Sequence, residues 1–175
     1  MAPVPLVIGV DPGTQRTGYG VITELEGQPV ALAWGVILPR PSLALPDKLQ
    51  TIYTALQACL ATHHPDTLAV EALFFAKNVR SAVTLAHARG VALLAAAAAG
   101  VEVVEYSPLA IKQAVVGYGR AEKRQVQAMV QMLLNLRDQV PAEDAADALA
   151  VALCHLHGRR LRSALNRPLA GRSRS

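Results

Sequence analysis

Residues 6–20 read Leu-Val-Ile-Gly-Val-Asp-Pro-Gly-Thr-Gln-Arg-Thr-Gly-Tyr-Gly, an apolar run that closes on Asp11, breaks at Pro12-Gly13 and restarts at Thr17. A short apolar run of this kind is a strand, and Pro-Gly-Thr behind an acid is turn chemistry. Residues 17–26 and 30–38 continue as β-branched and small apolar stretches on either side of Glu26-Gly27-Gln28-Pro29, so the first third is expected to be an antiparallel meander of three strands. Leu45, Leu49, Ile52, Tyr53, Leu56, Cys59 and Leu60 then recur at intervals of three and four, which predicts an amphipathic helix laying one stripe on that sheet. His63-His64-Pro65-Asp66 ends it. Residues 67–71, Thr-Leu-Ala-Val-Glu, form a second apolar run closing on an acid, and a strand reached through a helix is most simply parallel to its partner.

Further along, residues 78–99 are rich in alanine and leucine and stop at Gly100, the residue expected just past a helix end, so a long buried helix is predicted there. Residues 101–106 read as a last strand. Ser107-Pro108 can open a helix by capping, Gly117-Tyr118-Gly119 interrupts it, and residues 121–136 make the next. Pro141 begins a final helix expected to reach about His157 and to be largely buried, being apolar on several sides. This order implies an α/β fold: a mixed five-stranded sheet with helices on both faces.

Composition agrees with one domain. The 175 residues are 52% hydrophobic and 17% charged, which excludes intrinsic disorder for the body of the chain and allows one sizeable core. The longest uncharged, mainly apolar run, residues 90–101, is well short of the ~20 residues that cross a bilayer. Met-Ala-Pro-Val-Pro carries no basic stretch, so no secretory signal is expected, and two cysteines without metal or redox spacing suit a reducing cytoplasm. The formal charge of +4 is a tail effect: residues 158–175 hold six arginines and no acid, leaving 11 basic against 13 acidic residues elsewhere. Residues 161–175 are therefore read as a basic mobile tail behind a domain spanning 1–160. Residues 72–137 carry eight basic side chains against three acids, which suits a polyanionic partner or a set of solvated helix faces.

Four carboxylates carry the chemistry. Asp11 and Glu71 end apolar strands, and the carboxyl ends of strands are where α/β sites assemble. As neighbours they would repel and raise one another's pKa unless a cation or proton compensates. Asp144 and Asp147 lie three apart on one face of the final helix, among Ala145, Ala146 and Ala148, small enough for close approach to the strand ends. Taken singly, Asp144 is also explained as a first-turn charge on the helix dipole. Asp147 lies deeper in an apolar helix with no basic neighbour in sequence. Four hard oxygen donors without His or Cys select Mg²⁺ or Mn²⁺, and two such ions about 4 Å apart would suit in-line phosphoryl displacement. His87, His155 and His157 are read as packing or surface residues.

The strings Gly-Val-Asp11-Pro-Gly-Thr-Gln-Arg-Thr-Gly-Tyr-Gly, Val-Glu71-Ala-Leu-Phe74-Phe-Ala-Lys77-Asn78, Arg89-Gly-Val-Ala, Lys112-Gln-Ala-Val-Val-Gly-Tyr-Gly-Arg-Ala-Glu-Lys123 and Asp144-Ala-Ala-Asp147-Ala-Leu-Ala resemble the RuvC-type Holliday-junction resolvases of bacteria, in that family's order and spacing over roughly residues 5–156. The resemblance implies a ribonuclease H-like fold and a homodimeric endodeoxyribonuclease that resolves four-way DNA junctions by paired nicks. It implies a Mg²⁺ cofactor, for which Mn²⁺ can substitute, with two ions per site, and a branch-migration motor as partner. Asp11, Glu71, Asp144 and Asp147 match the family's metal-binding carboxylates, although some relatives carry His at the position of Asp144. Phe74 matches a junction-contacting aromatic, and Lys112 and Lys123 match basic residues near the scissile phosphate. Physically, an aromatic three residues past an acid and followed by Lys77-Asn78 can stack on an unpaired base while its neighbours hold phosphate. One of Phe74 and Phe75 is expected in the core, and Lys112 and Lys123 could equally be solvated helix residues.

Two rival classes meet obstacles. Asp-x-Gly-Thr also opens the phosphate-binding turn of sugar kinases and actin-like ATPases, but these close two domains over a nucleotide and this chain has residues for one. A module that binds branched DNA without cutting it has no use for four converging acids, because unpaired carboxylates oppose a polyanion.

Overall fold

The structure, a computed structural model, describes residues 4–72, 79–136 and 138–165, the side chains of 79–81 and 161–165 excepted. Its strands are β1 (Val7–Asp11), β2 (Thr17–Leu25), β3 (Gln28–Ile37), β4 (Thr67–Glu71) and β5 (Glu102–Tyr106). Its helices are α1 (Leu45–His63), α2 (Val79–Ala98), α3 (Pro108–Val116), α4 (Lys123–Leu133) and α5 (Glu143–Leu165). The sheet runs β3-β2-β1-β4-β5, with β1, β2 and β3 antiparallel in turn and β1, β4 and β5 parallel, as the meander followed by helix crossovers requires. The β2–β3 turn is tighter than its sequence suggests. Glu26 and Gly27 both adopt positive φ, 50° and 76°, closing a two-residue hairpin so that Pro29 enters the edge strand β3.

Side-chain alternation sorts the core into two layers. Ile8, Val10, Val21, Leu68 and Val70 face α1 and α2, meeting Ile52, Leu56, Leu60, Ala88, Ala92, Ala95 and Ala96. Val7, Ile22 and Ala69 face α5, with α3 and α4 beside it, and meet Leu149, Leu153 and Leu156. Each of these leucines is fully buried, worth roughly 1.5–3 kcal/mol. Asp11 and Glu71 share the parity of Val7 and Ala69, and so face α5.

Two expectations need correction. The helix over 78–99 is not buried all round: it seats four alanines on the sheet but leaves Val83 (51%), Leu85 (38%) and Leu94 (60%) exposed. The final helix does not stop near His157 but continues to Leu165. Contacts made by its last turns account for the extension: Arg160 donates through Nε to Glu24 Oε2 at 2.7 Å and through its guanidinium to the Gly27 carbonyl, and His157 Nδ1 bonds the Ala114 carbonyl at 2.9 Å. Arg160 is thus a clasp between α5 and the β2–β3 hairpin.

Candidate active site

β1 and β4 are parallel neighbours in register Val10↔Val70, so the next residues, Asp11 and Glu71, leave the sheet side by side. The third and fourth acids arrive on α5, which lies closer to the sheet than its alanines alone allow. A Cβ added at Gly9 would stand 2.0 Å from the Ala148 carbonyl oxygen, and one at Gly18 would stand 1.9 Å from that of Asp144. Gly20, the register partner of Gly9, gives the same relief under Leu149. This glycine track beneath α5 was absent from the sequence reading. The signal was present in the alternation Gly18-x-Gly20, which bares one face of a strand.

A cleft of about 340 Å³ opens beside the strand ends, lined by Asp11, Glu71, Lys112, Lys123 and Asp147 over a floor that includes Pro108, Ile111 and Val126. Lys112 comes from α3, which Ser107 caps through a 3.1 Å bond from the Ala110 N–H to its hydroxyl. Lys123 opens α4, whose start is fixed by the Glu122 N–H donating to Gln125 Oε1 at 2.8 Å. Between them Gly117, with φ of 92°, ends α3 and turns the chain.

The electrostatics report convergence. Burial first, and then the charges of Asp147, Asp144 and Glu71, together raise the Asp11 pKa from 3.8 to about 7 against the opposing charge of Lys123. Glu71 is raised by burial and by Asp147, opposed by Lys112 and Lys123. The two helix acids each hold a cation. Arg16 Nε donates to Asp144 Oδ2 at 2.6 Å. Lys123 Nζ stands 2.8 Å from Asp147 Oδ2 and also contacts Glu143. Burial would lower the Lys123 pKa, but hydrogen bonds to Asp147 and Glu143 overcome this and raise it. Arg16 and Glu143 were not singled out from sequence. Nor was a role given to Arg89, which is buried behind β4, where Nε donates weakly to the Glu71 carbonyl at 3.4 Å and Nη2 meets Glu105 at 2.7 Å.

Of the expected site residues, the structure gathers Asp11, Glu71, Asp147, Lys112 and Lys123 around one cleft, with Asp144 at its edge. Phe74, Lys77 and Asn78 lie outside the described residues, as does the chain from 166 onward. With Asp144 turned to Arg16 and Asp147 to Lys123, no three His, Cys, Asp or Glu side chains among the described residues close into a metal cage. The donor set nevertheless fits a hard divalent ion. It is all carboxylate, beside a buried acid that its neighbours resist ionising, and a cation there relieves that penalty. His155 accounts for itself otherwise, buried with Nδ1 at 2.9 Å from the Tyr106 hydroxyl. Cys59 and Cys154 are free thiols, their pKa values raised by burial to about 11. Among the described residues no helix is long and apolar enough to cross a membrane.

Residues 7–155 match the family model for crossover junction endodeoxyribonuclease RuvC. The crossover junction endodeoxyribonuclease RuvC of Syntrophomonas wolfei is 52% identical over 159 residues, covering 91% of this chain and 92% of that protein. Among solved structures, RuvC of Thermus thermophilus in complex with Holliday junction substrate superposes with a TM-score of 0.84 at 33% identity, covering 91% of this chain and 97% of that one. The yeast mitochondrial Holliday junction resolvase, at 12% identity and TM-score 0.66 over 93% of this chain and 83% of that one, shares the ribonuclease H-like fold. On a family match over most of its length and half its residues in common with a curated relative, this chain belongs to the RuvC family of crossover junction endodeoxyribonucleases.

Proposed function

We propose that this chain is an endodeoxyribonuclease that resolves four-way DNA junctions by paired, symmetric nicks in recombination and repair, using Asp11, Glu71, Asp144 and Asp147 to hold divalent metal. The observation that carries this is the Asp11 carboxyl, beside Glu71 at the ends of two parallel strands and under the charges of Asp147 and Asp144 from α5. Mg²⁺, with Mn²⁺ able to substitute, is the cofactor that this hard donor set favours, and a pair of ions would stabilise the attacking and leaving oxygens of phosphodiester hydrolysis. The chain's own residues do the rest. Lys112 and Lys123 line the same cleft as the acids, where their ammonium groups offset charge developing on the scissile phosphate. Phe74 stacks on a base unpaired at the crossover while Lys77 and Asn78 hold adjacent phosphates. The exposed apolar side chains of α2 receive a second copy, giving two active sites for two opposed strands. Residues 1–160 carry the nuclease, and the arginines of 161–175 add phosphate contacts. A branch-migration motor supplies junctions in the cytoplasm.

The test is a labelled synthetic four-way junction incubated with purified protein, in Mg²⁺ and in chelator. Paired, ligatable nicks that need the ion are expected; cutting that persists in chelator would overturn the metal-dependent reading, and no cutting of the junction under either condition would overturn the assignment.

A further inference from the structure

Arg16 is placed unlike the two lysines of the cleft. Lys112 and Lys123 line the cleft from α3 and α4, whereas Arg16 stands outside that lining, on the turn between β1 and β2, paired with Asp144. That turn is rigid. The Thr17 hydroxyl donates to the Gly13 carbonyl at 2.7 Å and accepts from the Gly13 N–H at 3.2 Å, and Thr14 and Thr17 are buried. A Cβ at Gly13 would come within 2.4 Å of the Arg16 carbonyl oxygen, so the backbone at Arg16 is packed against its own turn. Asp144 is pinned as firmly, its carbonyl resting on bare Gly18. Two fixed backbones thus present an arginine and a carboxylate 2.6 Å apart, with Arg16 half exposed (51%) and Asp144 less so (24%).

Only the side chains can change partners. Asp144 can be held by Arg16 or serve as a metal ligand, but a carboxylate oxygen engaged by a guanidinium at hydrogen-bond distance is not available to both at full strength. Released, the guanidinium stays tethered to its rigid turn beside Asp144. Its fork of donors suits phosphate better than any other group that DNA offers.

We propose that Arg16 is an exchange cation: it holds Asp144 until divalent metal takes that carboxylate, then turns outward to bind a phosphate of the DNA strand entering the cleft. The proposal rests on the junction-resolving reading and adds to it a residue with two successive partners, a carboxylate and then a phosphodiester. It predicts effects of opposite sign from one substitution. Arg16→Ala removes a competitor at Asp144, so metal binds tighter. It also removes a phosphate contact, so DNA binds more weakly and with less salt dependence.

Two measurements on the full chain decide it. Mn²⁺ titration by calorimetry, without DNA, should show about three- to tenfold tighter binding for Arg16→Ala than for wild type. Binding to a four-way junction in Ca²⁺ across a salt series should show a logarithmic salt slope smaller by about 1. Lys48→Ala, which removes the same charge from α1 on the opposite face of the sheet, controls for net charge. Tighter Mn²⁺ binding together with the shallower slope, both absent from Lys48→Ala, supports the exchange. An unchanged or weaker Mn²⁺ affinity, an unchanged slope, or equal effects of Lys48→Ala overturns it. Neither readout needs cleavage, so a chain that failed to cut junctions would refute the functional reading while leaving the Mn²⁺ comparison legible.

Discussion

Asp11 is held in the folded chain against its own preference. Burial and three carboxylates raise its pKa from 3.8 to about 7, so between those values the folded protein binds more protons than the unfolded one, and its stability falls as pH rises through the window. Below pH 4 both states are protonated at this position and the penalty vanishes. Asp11→Asn should therefore melt above wild type at pH 7.5 in chelator by roughly 4–8 °C, about 2 kcal/mol after discounting the shift for the openness of the cleft. The gap should close near pH 4, and junction cleavage should be lost at every pH. Calorimetric melting of both proteins at the two pH values checks this, and a variant less stable than wild type at pH 7.5 would sink it. The four acids were legible in sequence because a carboxylate closing an apolar run, or set in an alanine helix, is costly and calls for a reason. Their cations were not. Arg16 and Asp144 are 128 residues apart, and only the topology, which seats α5 over the β1–β2 turn, makes them neighbours.

At the scale of elements, the site depends on how closely α5 lies on β1 and β2. The obstacle to a methyl at Gly18 is the Asp144 carbonyl, which is backbone and cannot rotate away, so Gly18→Ala must lift the first turn of α5 and its two acids together. A loss of about 2–4 kcal/mol is expected from overpacking of this kind. A shift near 1 Å at these acids should cost on the order of a hundredfold in cleavage rate. Gly158 in the same helix has open space at its Cβ position, so Gly158→Ala should stabilise by about 0.5–1 kcal/mol and leave cleavage unchanged. Urea midpoints and single-turnover rates separate the two, and a harmless Gly18→Ala would remove the close-packing account. Element types and order were readable because periodicity switches cleanly from two to three-and-four. Helix ends and faces were less so. α5 outran its apolar pattern on contacts with Glu24 and Ala114 that no local signal announces, and alanine-rich α2 carries too little contrast between faces to show which one is left bare.

That bare face matters for the whole molecule. Val83, Gly90 and Leu94 recur on one side of α2 at spacings of seven and four, with two apolar side chains more than half exposed and a glycine between them that admits a close neighbour. On the opposite layer α5 is almost wholly buried between residues 145 and 156, so it has no comparable surface to offer. A four-way junction has near two-fold symmetry and presents two scissile strands, which a single cleft cannot reach at once. Self-association through α2 would place two clefts under the same symmetry operator. Leu94→Arg sets a charge on each copy where the two would meet, at a position already open to solvent, so the subunit's own fold should be preserved within about 0.5 kcal/mol. Light scattering should find wild type dimeric and Leu94→Arg monomeric. On a supercoiled cruciform substrate the variant should accumulate singly nicked circles, where wild type yields linear product from paired cuts. A Leu94→Arg protein that remains dimeric moves the interface elsewhere, and one that is monomeric yet still linearises the cruciform in one binding event would show that resolution needs no second subunit; Val83→Asp, on the same stripe, should repeat whichever result is found.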